Sequence, residues 1–354
     1  MMHGGDIYSF IRETGKAPLD FSENTNPYGL PERVKQAIKN EVNKFNMYPD
    51  PHCVELTKHV AKYYSVPEDC LLFGNGAADI IFKIAYAMQP KSALILAPTF
   101  SEYELSLKNI GTEIHHFHLD EQEEFRITDA ILEVIPGHDI VYICNPNNPT
   151  GRVCPRDLMK QIANACKAVG AILVVDECFM DFVTDMEQYS MLEEVAQYDN
   201  VILLKAFTKI FAMAGLRLGF CVTSNEELLT RINEAGQPWS VSTVAQVAGV
   251  ACCEEEEYVQ HMRIQLPIER KFLSENLQKL GMKVYHSDAN YLLFHSKIEL
   301  AEPLRKSGIM LRSCGNYRGL NQEYYRVAVK KHEENQELIM RMKQIIERGN
   351  TSEG

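Results

Sequence analysis

Residues from about 70 to 225 constrain the fold more than any other part of the chain, because short apolar runs there alternate with amphipathic segments. LLF (71–73), SALILA (92–97), TEIHHFH (112–118), DIVYIC (139–144), AILVV (171–175), VILLK (201–205) and LGFCVT (218–223) read as strands. Helical patterns lie between them. One puts Ile80, Ile81, Ile84, Ala85 and Met88 on a single face, another closes at Gly111, and a third spans about 155–169. Strands that are apolar on both faces need cover on both, so the alternation predicts a mostly parallel sheet between layers of helices.

The rest of the chain has a different texture. Residues 1–34 are rich in turn formers, with NTNPYGLP as the clearest cluster. A long polar helix is expected over 255–280, then strands at NYLLFH (290–295), GIMLRS (308–313) and YYRVAV (324–329), and a closing helix from about Glu333 to Arg348. The expected architecture is α/β, with a large domain over 35–258. A smaller α+β domain is assembled from 1–34, including an N-terminal arm, and 259–354.

Composition narrows the partners. The 354 residues carry 36 Lys+Arg against 48 Asp+Glu, a formal charge of -12, which argues against nucleic acid or an anionic membrane as the main partner. MMHGGDIYSF lacks a basic-then-apolar leader, and no run approaches membrane-spanning length. The 10 cysteines are scattered without a CxxC pair, and Cys144, Cys178 and Cys221 fall in apolar runs, as expected of reduced thiols in a cytoplasmic protein. His116 and His118 would share a strand face beside His115, but the sequence nominates no third ligand and no metal is expected. The run Glu254–Glu257 reads as the solvated start of the long helix, and Trp239 as packing near the site.

In open parallel sheets the chemistry collects beyond the carboxyl ends of the strands. Four such places here are unusual. LLF runs into Gly74-Asn75-Gly76-Ala77-Ala78, DIVYIC into NPNNPTG (145–151), AILVV into Asp176-Glu177, and VILLK into Ala206-Phe207-Thr208-Lys209, with Arg217 shortly beyond. Each has an ordinary explanation when taken alone: a tight turn, a rigid loop, a helix cap, a surface lysine. Together they offer a carboxylate for a positive charge, a lysine for a Schiff base, and an arginine with helix-start amides for a phosphate. Those are the needs of pyridoxal 5'-phosphate.

With these residues in view, the motifs NPNNPTG, VVDECFMDF and LKAFTKIFAMAGLRLG resemble those of fold-type I pyridoxal-phosphate enzymes, the aminotransferase class I/II superfamily, from about Asn24 to Arg326. The resemblance implies that Lys209 carries the Schiff base and shuttles protons, and that Asp176 pairs with the ring nitrogen. Asn148 would donate to the phenolate oxygen and face the substrate. Arg217, Thr208, Gly76, Ala77 and Ala78 would form the phosphate cup. Phe100 would stack on the ring, and Tyr48 would cross to the neighbouring site of a homodimer. Arg326, Arg312 and His3 would bind substrate. Two departures stand out: Phe179 occupies a place usually held by Tyr, and Ala206 one usually held by a hydroxyl residue.

Two subgroups with phosphorylated substrates fit best, the histidinol-phosphate aminotransferases and the L-threonine O-3-phosphate decarboxylases of cobalamin biosynthesis. HGGD, FSENTNPYG, FGNGAADIIF, Phe179, QPWSV, ANYLL and RSCGNYRGLNQEYYRVA resemble the decarboxylases more closely. The expected activity is therefore decarboxylation of phosphothreonine to (R)-1-amino-2-propanol O-2-phosphate, with amino-group transfer as the alternative.

Overall fold

The computed structural model describes residues 4–352. A short strand, β1 (Leu19–Asp20), follows the helix Ile7–Thr14. Seven strands then build the large sheet: β2 (Leu71–Gly74), β3 (Ser92–Ala97), β4 (Glu113–His118), β5 (Ile140–Cys144), β6 (Ile172–Asp176), β7 (Val201–Ala206) and β8 (Gly219–Val222). Five more follow the long helix Glu256–Lys279, namely β9 (Lys283–Val284), β10 (Tyr291–His295), β11 (Ile309–Met310), β12 (Arg312–Ser313) and β13 (Tyr324–Ala328).

The large sheet has the order β2-β8-β7-β6-β5-β3-β4, parallel except for β8, which runs antiparallel to both neighbours. Side-chain alternation divides its core in two. Ile95, Tyr142, Val174 and Leu204 pack with Ile80, Ile81, Ile84 and Tyr103 on one face. Leu96, Val141, Ile143, Val175 and Leu203 join the larger core on the other, with Met159, Ile162 and Cys166 of the helix Arg156–Ala168. The smaller sheet is antiparallel, in the order β12-β13-β10-β9.

Two details depart from the sequence reading. GIMLRS is not one strand: it divides at Leu311, so that β11 pairs parallel with β1 while β12 pairs antiparallel with β13. The turn-rich start holds the helix Ile7–Thr14, whose first turn is capped by the Asp6 side chain accepting from the Ser9 amide. Glu254 and Glu255 precede the long helix and pair with Arg33.

Lys205 is the one lysine wholly buried among the described residues, on the face of β7 away from Leu204. Its ammonium lies 3.2 Å from Asp181 and 3.8 Å from Glu177 and over the Tyr64 ring. Glu177 also accepts from Ser190 Oγ (2.6 Å) and the Met191 amide (2.7 Å), while burial raises its pKa above the usual carboxylate range.

One carboxylate ties the two sheets together. Glu121, in the loop after β4, accepts from Lys283 Nζ (2.6 Å), Tyr285 Oη (2.5 Å) and Tyr324 Oη (2.9 Å). These donors, Lys283 foremost, hold its carboxyl down at about 2. Because the folded value lies below the ordinary 4.5, the stabilisation is complete above pH 4.5 and fades as pH falls toward 2. Glu121→Gln should therefore lower stability at neutral pH and flatten its decline over that acid window, as read by urea unfolding at a series of pH values.

Candidate active site

The cavity lies beyond the carboxyl ends of the parallel strands, beside the point where the chain steps from β3 outward to β4 on one side and to β5 on the other. Ala77, Ala78, Phe100, Asn148, Asp176, Thr208, Lys209, Arg217, Arg312 and Arg326 all line it. Each arrives for a local reason. β2 ends in the GNG turn, and the helix Ala77–Met88 starts with amides that have no carbonyl one turn back. Gly76 is required there: it has φ +81°, and a Cβ would meet Arg217 Nη2 at 2.7 Å. β7 passes into the short helix Phe207–Ile210, which carries Thr208 and Lys209.

Lys209 Nζ lies 5.8 Å from the centre of the Phe179 ring. Enclosure by the protein lowers its pKa, Glu23 opposes the shift, and Arg326 and Arg217 reinforce it. The Tyr-to-Phe departure thus leaves an apolar ring beside the amine where a hydroxyl would otherwise stand. A neutral amine is the form that can act as nucleophile or base.

Asp176 ends β6. Its Oδ1 accepts from the Cys178 amide (3.0 Å) and its Oδ2 from Tyr103 Oη (2.5 Å). Asn148 is oriented by two donors: its Oδ1 accepts from Arg326 Nη1 (2.7 Å) and Tyr317 Oη (3.3 Å), which turns its NH2 group the other way. Arg326 also donates through Nη2 to the Ser22 carbonyl (2.6 Å). Asn24, with its amide oxygen toward the guanidinium, accepts from Nε and Nη1 at 3.2 Å each. Arg312 donates to Asn316 Oδ1 (2.9 Å) and lies over the Tyr317 ring. Arg312 and Arg326 are directly paired on one rung between β12 and β13 and line the same cavity.

Other expected residues lie elsewhere. Tyr48 is 79 % exposed, off the cavity wall of its own chain, and stacks on Trp239 with ring centres 4.7 Å apart. Trp239 therefore packs against Tyr48 and, like it, lies off the cavity wall of its own chain. His3 lies outside the described residues. The histidines near β4 have local partners: His115 faces His138 and Glu113, and His116 faces Glu104. No group of three metal-binding side chains occurs among the described residues.

Several lining or supporting residues were not singled out from the sequence: Glu23, Asn24, Tyr103, Cys178 and Tyr317. Asn24 and Glu23 sat in the quoted segment FSENTNPYG, and Tyr103 follows Phe100 by one helical turn in PTFSEY. Tyr317 sat in the quoted segment RSCGNYRGLNQEYYRVA, but it reaches Asn148 only through the loop between β12 and β13.

The donor set fits pyridoxal 5'-phosphate: a phosphate would meet Arg217, Thr208 and the Ala77 and Ala78 amides, a ring nitrogen Asp176, and an aldehyde Lys209. Comparisons agree. The sequence profile of the aminotransferase class I and II family matches residues 16–342. The chain is 34% identical over 352 residues to a threonine-phosphate decarboxylase of Salmonella typhimurium, covering 97% of this chain and 96% of that one. The histidinol-phosphate aminotransferase of Clostridium acetobutylicum superposes with a TM-score of 0.88 at 28% identity, over 93% of this chain and 99% of that one. The fold is also that of the histidinol-phosphate aminotransferase from Sinorhizobium meliloti solved in complex with pyridoxal 5'-phosphate, with a TM-score of 0.86 at 16% identity over 97% and 94% of the two chains. Fold, cavity and sequence agree that this chain belongs to the aminotransferase class I and II family of pyridoxal-phosphate enzymes.

Proposed function

We propose that the protein is a cytoplasmic, homodimeric decarboxylase of L-threonine O-3-phosphate that forms (R)-1-amino-2-propanol O-2-phosphate for cobalamin biosynthesis. The observation that carries this reading is the pairing of Arg312 with Arg326 on one rung facing the cavity. Two guanidinium groups on one rung of the cavity wall suit a substrate with two anionic groups, such as a phosphate and a carboxylate. A dicarboxylate such as 2-oxoglutarate would suit the same pair, so the choice of decarboxylation over amino-group transfer rests on the decarboxylase relative at 34% identity over nearly the whole chain.

When bound, the cofactor supplies an electron sink for the pair of electrons left behind as a bond at the substrate Cα breaks. The protein decides which bond that is. Only a bond upright to the ring delivers its electrons into the π system, and the two arginines, anchored by Asn148, Ser22 and Asn316, would turn the substrate carboxylate into that position. Phe100 and Phe179 supply apolar walls that limit water. Asp176 would hold the proton on the ring nitrogen, and Lys209 Nζ, with its lowered pKa, would hold the cofactor's aldehyde and then deliver a proton to Cα. The homodimer is supported by exposed apolar residues around Tyr48, including Val42, Phe45, Met47 and Trp239. The 10 free thiols, eight of them buried, suit a reducing compartment.

The holoenzyme is expected to release carbon dioxide and aminopropanol phosphate from O-phospho-L-threonine. Glutamate formed from L-histidinol phosphate and 2-oxoglutarate, without carbon dioxide from phosphothreonine, would establish the aminotransferase reading in its place. Lys209→Ala should lose the visible absorbance band of the bound cofactor, and a band that persists would remove Lys209 from its role. Arg312→Ala should raise KM for phosphothreonine at least tenfold, since a charge-assisted hydrogen bond contributes about 1.5–3 kcal/mol. An unchanged KM would take Arg312 out of the substrate site.

A further inference from the structure

The carboxylate at the end of β6 is held from behind by a hydroxyl that belongs to no motif. The 2.5 Å separation of Tyr103 Oη from Asp176 Oδ2 lies in the range of charge-assisted O–H···O⁻ hydrogen bonds. Tyr103 is fully buried, stacks on Tyr142 with ring centres 5.1 Å apart, and meets the cavity-lining ring of Phe100 edge-on at 5.6 Å. Water cannot easily replace a hydroxyl so enclosed. Burial, followed by the charge of Asp176, raises the phenol pKa well above its usual value, so Tyr103 keeps its proton and remains the donor.

The other titratable groups facing Asp176 are weak partners. Cys144 comes from β5, Cys178 from the turn after β6, and Tyr291 from β10, and burial raises the pKa of each. No cation lies within salt-bridge distance of Asp176 among the described residues. Tyr103 therefore makes the shortest polar contact to the carboxylate.

We propose that Tyr103 is the positioning residue of Asp176: its hydroxyl fixes the carboxylate rotamer and draws off part of its negative charge. In doing so it sets how firmly Asp176 can hold a protonated ring nitrogen. The inference rests on the reading that Asp176 faces that nitrogen. A carboxylate relieved of part of its charge exerts a weaker field on the cavity, so the hydroxyl limits how strongly protonated nitrogens there are favoured. Removing it concentrates the charge and carries those protonated forms to higher pH.

The test is a pH titration of the visible absorbance of the holoenzyme. Tyr103→Phe keeps the stacked ring and removes only the hydroxyl, and it should raise the midpoint by about one pH unit. Tyr142→Phe is the control, because its buried hydroxyl has no hydrogen-bond partner among the described residues, and it should leave the midpoint in place. Site-specific replacement of Tyr103 by 3-fluorotyrosine, a stronger donor, should lower the midpoint, and it gives a reading even if the Phe variant folds poorly. A midpoint that stays put in both Tyr103 variants, or moves equally in Tyr142→Phe, overturns the proposal. Asp176→Asn separates the two levels of inference. If it too leaves the midpoint unmoved, the assignment of Asp176 to the ring nitrogen fails; if it alone moves the midpoint, only the role of Tyr103 fails.

Discussion

Arg326 carries its charge 6 % exposed, surrounded by neutral oxygens: Asn148 from the loop after β5, Ser22 from the N-terminal segment, and Asn24 beside it. A buried guanidinium with no carboxylate partner among the described residues is costly, and its neutral acceptors recover only part of its lost hydration. What the arrangement secures is convergence. The N-terminal segment, the large sheet and β13 of the smaller sheet are each bonded to one planar, five-donor group, so their relative positions are fixed at the cavity. Arg326 in turn keeps a positive field on Lys209 and favours its neutral form.

Around that charge the site is assembled from strand ends that are individually rigid. β5, β6 and β7 are adjacent and in register, which brings Cys144, Asp176 and Leu204 side by side before the chain leaves the sheet. The turns that follow can then differ in chemistry while their origins hold still. Phe179 illustrates this latitude: a hydroxyl is lost, an apolar ring meets the Lys209 amine, and Tyr317 Oη enters the same cavity wall from another element. Glu121 provides a second tie at a distance, holding Tyr324 two positions from Arg326 on the same strand.

Much of the large sheet was legible because its strands are buried on both faces and read as unbroken apolar runs. Strand direction was not legible. LGFCVT has the same texture as its neighbours, yet β8 runs against them, and no periodicity encodes that. The division of GIMLRS was hidden too, since Leu311 is no breaker and the strand is cut only because two different partners claim its halves. At the site, Lys209, Asp176, the NPNNPTG run and the GNG turn stood out because backbone geometry and charge demand rare local residues, while Asn148 took its role from the family resemblance. Tyr103, Asn24 and Tyr317 did not stand out, because their importance lies in what tertiary folding places opposite them. A tyrosine one turn into a helix is ordinary until its hydroxyl is found on Asp176.

Trp239 is the only tryptophan in the chain, and it does not sit in the core. It is 46 % exposed, held at φ +57° beside Ser240, which accepts from buried Lys83, and stacked on Tyr48. Tryptophan fluorescence, usually a gauge of whether a core has opened, is here a local signal from one patch of surface. A change in emission on dilution or on crowding that patch reports the company kept by Tyr48.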